Sequence, residues 1–219
     1  MNNSKAYKGL PMEGIIATWY AKTTRKDLKR HKGMAQQLAG KIPANGSVLE
    51  IAPGPGYFCI ELARLGDYQI TGLDISRSFV EIARRNAAEA GLKIDFREGN
   101  ASAMPFQDNT FDFTFCQAAF KNFSEPVQAI TEMHRVLRPG GISVISDLRR
   151  DASAPEIERE IEGMSIGPIN RFIVRWTFRN MLLKGAYSVD DMQTMVKQTP
   201  FRQCRIDLDG IGFQAWLGK

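Results

Sequence analysis

The fold is indicated most clearly by one stretch, Val48-Leu49-Glu50-Ile51-Ala52-Pro53-Gly54-Pro55-Gly56. Its mainly apolar first half predicts a buried strand, and the Pro/Gly run predicts a tight turn that leads into a helix from Tyr57. Glycine has no Cβ, so a ligand can approach the backbone of such a turn closely. The start of the helix adds free N–H groups that favour an anionic group. A strand-to-helix connection without a ligand would have the same pattern, so the flanking sequence has to distinguish the two.

A second strand pattern at 69–75 contains an acidic residue, Asp74, near its end. This acid comes roughly 20 residues after the glycine turn, a spacing at which a carboxylate accepts hydrogen bonds from ribose hydroxyls. Such a ligand lies over the carboxyl ends of the strands in an open α/β sheet. A dinucleotide fingerprint would have glycine or alanine three residues after Gly56, where this chain has Cys59. The pattern therefore favours a ribose-bearing ligand but supports a nicotinamide cofactor less well.

The rest of the chain alternates between strand and helix patterns, which indicates βαβ units and a mainly parallel sheet. Ser76, Ser124 and Ser188 are predicted helix N-caps, and Asp209-Gly210 is a hairpin signal. The predicted fold class is α/β, with a Rossmann-like doubly wound seven-stranded sheet that is mostly parallel and has a C-terminal antiparallel hairpin strand. Further strands are predicted at 92–97, 111–117, 142–148, 202–208 and 211–217.

We expect one domain over 1–219 with two additions to its core. The predicted parts are an N-terminal helical cap at 1–46, a ligand-binding core at 47–148, a helical lid insertion at 149–187, and a C-terminal helix and hairpin at 188–219.

The insertion contains a segment at 168–184 with apolar residues close to helical spacing, Ile169, Phe172, Ile173, Trp176 and Leu183. This pattern favours a lid whose apolar side packs on the core, and a basic amphipathic helix on a membrane surface is the alternative. Three arginines recur every four residues and form one stripe, which is either a solvated face or a contact for an acidic substrate: Arg171, Arg175 and Arg179.

Composition narrows the classes of function. The net charge is +5, but no dense basic run with interleaved aromatics occurs outside 22–32, so nucleic acid is an unlikely substrate. Cys59, Cys116 and Cys204 lie far apart in apolar runs, which indicates buried, reduced thiols rather than disulfides. With two histidines that do not cluster with them, we expect no metal site. No signal peptide or bilayer-length apolar stretch is present, so the expected location is the cytoplasm.

Four motifs in order carry a more specific signal than the glycine turn alone. Together they resemble the class I S-adenosylmethionine (SAM)-dependent methyltransferases, in particular the small-molecule branch that includes ubiquinone/menaquinone and sterol-type enzymes. The resemblance covers about 47–148 and is weaker over 188–217. The motifs are Glu50-Ile-Ala-Pro-Gly-Pro-Gly56, Gly72-Leu-Asp-Ile-Ser76, Gly99-Asn-Ala-Ser-Ala-Met-Pro-Phe-Gln-Asp-Asn-Thr-Phe-Asp112 and Arg135-Val-Leu-Arg-Pro-Gly-Gly141.

The resemblance implies SAM as cofactor, S-adenosylhomocysteine as product, a small-molecule acceptor and, as one possibility, a homodimer. It also implies a role for each matching position. Tyr20 either covers the methionine end of the cofactor or is a packing aromatic of the N-terminal helix. The other implied contacts are Glu50 and the Gln117 carbonyl for the methionine amino end, Ala52, Gly54 and Gly56 for the methionine chain, Asp74 for the ribose, and Ile75, Asn100 and Ala101 for the adenine.

Three positions depart from the family pattern. Ala52 stands where the family usually has glycine, and Asn100 where it often has aspartate, whose contact an amide oxygen can still make. Many relatives have a His-His pair where this chain has Ala119-Phe120-Lys121-Asn122, so no role of those histidines is carried over. Lys121 and Asn122 either line the acceptor pocket or lie on a solvated turn.

The chemistry that the resemblance implies demands little of the protein besides position. The SAM sulfonium already activates the methyl group, so catalysis is expected to come from proximity and water exclusion. No catalytic residue is assigned, and Asp147 is either a pocket residue or a plain strand-end acid. The alternatives are a nicotinamide-dependent oxidoreductase, a SAM-binding protein without turnover, and a methyltransferase acting on a macromolecule.

Overall fold

The computed structural model describes residues 7–8, 12–164, 167–178 and 182–219. Its seven-stranded sheet has the order β3-β2-β1-β4-β5-β7-β6. Strands β1 to β5 are parallel to one another, and β7 runs antiparallel to both β5 and β6. The predicted Rossmann-like fold class is therefore confirmed. The strands are β1 Ser47–Ile51, β2 Gln69–Asp74, β3 Asp95–Glu98, β4 Phe111–Gln117, β5 Leu137–Leu148, β6 Gln203–Asp209 and β7 Gly212–Gly218.

Helices cover both faces of this sheet. Successive residues of β1 point to opposite faces, so that Leu49 packs in one apolar cluster and Val48 in another. This alternation is the period-two pattern expected of a strand buried on both sides. The helices are α1 Gly14–Thr24, α2 Leu28–Ala39, α3 Tyr57–Ala63, α4 Arg77–Glu89, α5 Pro126–Val136, α6 Ala154–Glu162, α7 Pro168–Thr177 and α8 Val189–Lys197.

Two of the three predicted N-caps are confirmed. Ser76 Oγ accepts a hydrogen bond from Phe79 N at 3.1 Å at the start of α4. Ser188 Oγ accepts from Asp191 N at 3.1 Å, and the Asp191 carboxylate accepts from Ser188 N at 2.7 Å, which completes a capping box at α8. The predicted hairpin is also present, with Gly210 at a φ of 54° between β6 and β7.

The prediction of Ser124 as an N-cap is wrong. Helix α5 begins at Pro126, which suits a first helical position because its missing N–H is not needed there. This start places Glu125 at the cap, and Ser124 Oγ is buried without a hydrogen-bond partner among the described residues.

The orientation of α7 contradicts the expectation that its apolar side packs on the core. Phe172 is 67% exposed and Trp176 is 55% exposed, and Ile173 is also exposed. A different side of α7 meets α6, where Val174 and Phe178 belong to one apolar cluster with Ile157 and Ile161. Beside this cluster the Arg175 guanidinium donates to both carboxylate oxygens of Glu158 at 2.6 Å. Leu183 is buried as expected, whereas the Ile169 side chain and Arg179 lie outside the described residues.

Cys59 and Cys116 are buried free thiols, but Cys204 is exposed, so the expectation for Cys204 is wrong. Cys204 lies on β6, the edge strand of the sheet, where apolar residues lack a covering layer. In the part of the chain that the structure describes, no helix has both the length and the apolar character needed to span a membrane.

Candidate active site

The glycine turn after β1 has a left-handed backbone at three positions. Ala52 has a φ of 56°, Gly54 a φ of 53° and Gly56 a φ of 78°. A Cβ on Gly56 would lie 2.8 Å from Cζ of the buried Phe96, whereas a Cβ on Gly54 would meet no atom within 4 Å. Gly56 is therefore required by packing as well as by φ, and Gly54 leaves backbone accessible on an open side of the turn.

Asp74 ends β2 beside this turn and is only 4% exposed. Its Oδ2 accepts from Gly54 N and its Oδ1 accepts from Ser76 N, both at 2.9 Å. Burial raises the pKa of Asp74 to about 6, although these two hydrogen bonds oppose the shift. A carboxylate offers about four acceptor sites, so each oxygen keeps one site for a ligand hydroxyl. The same carboxylate thus fixes the turn and remains able to hold a diol.

Glu50, on β1, is a second buried carboxyl beside the glycine turn and is 3% exposed. Cys59 Sγ donates to its Oε2 at 2.8 Å. Burial raises the pKa of Glu50 to about 7, and the charge of Asp74 adds to the shift. In the sequence, Cys59 is notable only because it replaces the third glycine or alanine of a dinucleotide fingerprint. In the structure it is the hydrogen-bond partner of Glu50. The two carboxyls titrate near neutrality, and a cationic ligand group between them would favour their ionised forms.

Residues of the N-terminal cap at 1–46 contact the core at two places near the carboxyl ends of the strands, at the start of α4 and in the turn that follows β4. Ser76 Oγ donates to Met12 O at 2.6 Å, and Gly14 N donates to Ser78 Oγ at 2.9 Å. On the other side, Lys8 N donates to Asn122 O at 2.7 Å, in the turn that follows β4. Lys8, Met12 and Gly14 are therefore each hydrogen-bonded to the core beside the site.

Two tyrosines of the N-terminal cap, Tyr7 and Tyr20, lie near residues of the site. Tyr20 packs edge-on against Phe79, with the ring centroids 5.7 Å apart. Burial raises the pKa of the Tyr7 hydroxyl, and the charges of Tyr20 and Asp74 raise it further, so Tyr7 lies close to both. Tyr7 was not predicted, because nothing in the sequence around it forms a pattern.

The other implied cofactor contacts lie along the same edge. Gly99 N donates to Asp74 O at 2.8 Å, which brings Asn100 beside the acid. The Asn100 side-chain oxygen accepts from Ser102 N at 2.9 Å, so an adenine contact would have to share that oxygen. Ala101 packs against the core, and Ile75 and Gln117 are half-buried at the ends of β2 and β4.

On the far side of β4, Lys121 and Asp147 form an ion pair. Lys121 Nζ lies 3.0 Å from Asp147 Oδ1, and the side chains are 15% and 2% exposed. The interpretation of Lys121 as part of a solvated turn is therefore wrong. His134 packs edge-on against Phe201 at 4.9 Å, as expected of a structural residue. No group of three or more potential metal ligands is found among the described residues.

Comparison with known proteins finds similarity over the part of the chain that contains this site. Residues 49–145 match the family described as "Methyltransferase domain". A demethylmenaquinone methyltransferase of Deinococcus radiodurans is 39% identical over 107 residues, which are 48% of this chain and 44% of that protein. That of Chlorobaculum parvum is 27% identical over 85% of this chain and 69% of that protein. The first match thus spans less than half the length of the curated relative.

A solved structure extends the similarity to nearly the whole chain. A Methanococcus maripaludis protein assigned to the SAM-dependent methyltransferases superposes with a TM-score of 0.76. The match covers 97% of this chain and 95% of that one at 21% identity, which establishes a common fold.

Proposed function

We propose that the chain moves a methyl group from SAM to a small-molecule acceptor of the demethylmenaquinone type, because residues 49–145 match a methyltransferase domain family and the chain is similar to demethylmenaquinone methyltransferases. The observation that carries the proposal is the pairing of the buried Asp74 with the open Gly54 turn, which together suit a ribose and the chain attached to it. The acceptor class rests on the names of the relatives.

The residues present fit SAM. Asp74 has acceptor sites left for both ribose hydroxyls, and the open side of Gly54 suits the methionine chain. Glu50 and the carbonyl of Gln117 are proposed to hold the ammonium, and Ile75, Asn100 and Ala101 the adenine. When bound, SAM supplies an electrophilic methyl group on a sulfonium.

The contribution of the chain's own residues is binding, orientation and exclusion of water. The hydrogen bonds of Met12 with Ser76 and of Lys8 with Asn122 support a role of the N-terminal cap as a cover of the site, and Tyr7 and Tyr20 are proposed to belong to that cover. Holding two reactants in one geometry supplies up to about 7–11 kcal/mol of rate enhancement. No general base is part of the proposal.

We also propose the division into an N-terminal cap at 1–46, a core at 47–148, a lid at 149–187 and a C-terminal unit at 188–219. The contacts of Met12 and Gly14 with the start of α4 support the cap. The free thiols support a reducing compartment such as the cytoplasm. A homodimer is retained as a proposal to be tested by sedimentation.

The test measures S-adenosylhomocysteine release from SAM in the presence of a short-chain demethylmenaquinol or a fractionated metabolite extract. Asp74→Ala is the control, checked for folding by thermal melting. Release that depends on an acceptor and is lost in the variant is the expected result. Tight SAM binding without release from any fraction would contradict the proposed transfer, and binding of NADH instead of SAM would contradict the cofactor.

A further inference from the structure

A cluster of charged and aromatic side chains lies beside the proposed cofactor site, at the carboxyl ends of β4 and β5. We define it as the acceptor-side cluster, formed by Lys8, Lys121, Asp147 and Tyr187. Lys121 Nζ donates to Asp147 Oδ1 at 3.0 Å and to Ala118 O at 3.2 Å. Lys8 Nζ donates to the Tyr187 hydroxyl at 2.7 Å and lies 5.2 Å from the centre of its ring.

The cluster adjoins the cofactor side of the sheet. Strand β4 lies between β1, which bears Glu50, and β5, which bears Asp147. Burial raises the pKa of the Cys116 thiol on β4, the charges of Asp147 and Glu50 raise it further, and that of Lys121 lowers it. The buried carboxyls and the cluster therefore flank the end of one strand, which is where an acceptor must lie to meet a cofactor held by Glu50 and Asp74.

Asp147 does not need the Lys121 ammonium to satisfy its oxygens. Its Oδ2 accepts from Lys121 N at 3.0 Å, and its Oδ1 accepts from Leu148 N at 2.7 Å. These two backbone bonds already fix the turn after β4. Among the described residues, Lys121 Nζ donates to two acceptors, so its third N–H remains for a ligand or water.

The charge of the cluster is positive. It holds two ammonium groups and one carboxylate, and the neighbouring Arg150 is paired with Asp191. Lys121 is largely buried, and an ion in such a place attracts an opposite charge more strongly than it would in open water. An acceptor group that meets this cluster, rather than the carboxyls of Glu50 and Asp74 on the cofactor side, is therefore favoured when it is anionic.

On the basis of the proposed function, we infer that Lys121 is an acceptor-binding residue that takes an oxyanion of the acceptor, such as a phenolate, an enolate or a carboxylate, next to the atom that is methylated. A phenolate or enolate loses its charge as the methyl group is transferred to it, and a carboxylate beside the methylated atom keeps its charge, so in neither case does negative charge grow on the oxyanion in the transition state. The ammonium therefore acts mainly on acceptor binding and ionisation, and its loss should raise KM more than it lowers kcat.

The test is a binding measurement on the full chain saturated with S-adenosylhomocysteine. Calorimetry compares 1-hydroxy-2-naphthoate with its neutral amide, 1-hydroxy-2-naphthamide. The wild type should bind the carboxylate at least about tenfold more tightly, and Lys121→Met should reduce that preference to about twofold or less. Lys121→Arg should keep the preference. Lys93→Met is the matched control, because Lys93 is exposed at the opposite edge of the sheet, just before β3.

Asp147→Asn separates binding from a structural role. Removing the carboxylate leaves the ammonium uncompensated, so the preference for the naphthoate should persist or increase, whereas loss of a merely structural ion pair would weaken both probes alike. Equal binding of the two probes by the wild type, or equal losses in Lys121→Met and Lys93→Met, would overturn the inference. In those cases binding of S-adenosylhomocysteine itself, measured in the same titrations, would leave the proposed function standing.

Discussion

The buried carboxyl of Glu50 should make the stability of the ligand-free protein depend on pH. Burial raises its pKa from 4.5 to about 7, a difference that corresponds to roughly 3 kcal/mol. The folded state holds the proton more tightly than the unfolded state does. This contribution is therefore fully present below about pH 4.5 and is lost as the pH rises through about 7.

The perturbation is Glu50→Gln, which keeps an oxygen to accept from Cys59 Sγ but does not titrate. Urea unfolding of both proteins at about pH 4 and about pH 8 gives the difference between their free energies of unfolding. That difference should shift against the wild type by roughly 3 kcal/mol between the two pH values, since all other groups titrate in both proteins. A difference that does not change with pH would refute the reasoning, because Glu50 would then have the same affinity for protons in both states.

Three further predictions follow from particular contacts. Gly54→Ala should lower the free energy of unfolding by about 1–2 kcal/mol because of the positive φ at this position, and it should also weaken S-adenosylhomocysteine binding in calorimetry. Gly91→Ala, at a residue with a φ of 70° and equally open surroundings, should lower only the free energy of unfolding. Equal affinities of the two variants for S-adenosylhomocysteine would contradict the proposed ligand position. Ser76→Ala should lower the free energy of unfolding by about 1 kcal/mol because a helix cap is lost, and it should also speed proteolysis before α1, because Ser76 Oγ donates to Met12 O. Ser188→Ala, which removes another cap, should lower the free energy of unfolding by a similar amount without faster cleavage before α1. Indistinguishable digestion patterns of the two variants would count against the contact between Ser76 and Met12. Phe172→Ser should change the free energy of unfolding by less than about 0.5 kcal/mol, because this side chain is exposed. Ile161→Ala, at a buried position of α6, should lower the free energy of unfolding by about 2–5 kcal/mol. A large loss of stability in Phe172→Ser would contradict the exposed position of this side chain.

The parts of the fold that the sequence predicts well are those set by local patterns. The turn at 52–56 follows from its glycines, and the caps at Ser76 and Ser188 follow from side chains that bond within the same turn of chain. Ser124 fails because Pro126 is the first helical residue, which shifts the start of α5 by one residue, and both Ser124 and Pro126 carry plausible start signals.

Long-range contacts are what the sequence does not reveal. Phe172 and Trp176 are exposed because Val174 and Phe178 are the residues that pack with Ile157 and Ile161 of α6, a choice of partner that no periodicity within α7 encodes. The ion pair of Lys121 and Asp147 joins residues 26 apart in the chain and arises because β4 and β5 end side by side. Tyr7 likewise reaches the site only through the folded N-terminal segment.

The central claim is methyl transfer to a small molecule, and one labelling experiment tests it most directly. The protein is incubated with SAM that carries a trideuterated methyl group and with short-chain demethylmenaquinol, and the products are analysed by mass spectrometry. The account predicts that the wild type, but not Asp74→Ala, forms a product in which one trideuteromethyl group has replaced one hydrogen of the demethylmenaquinol. Bound SAM with no label in any small molecule would contradict it and would indicate a SAM-binding protein without turnover or one that modifies a macromolecule.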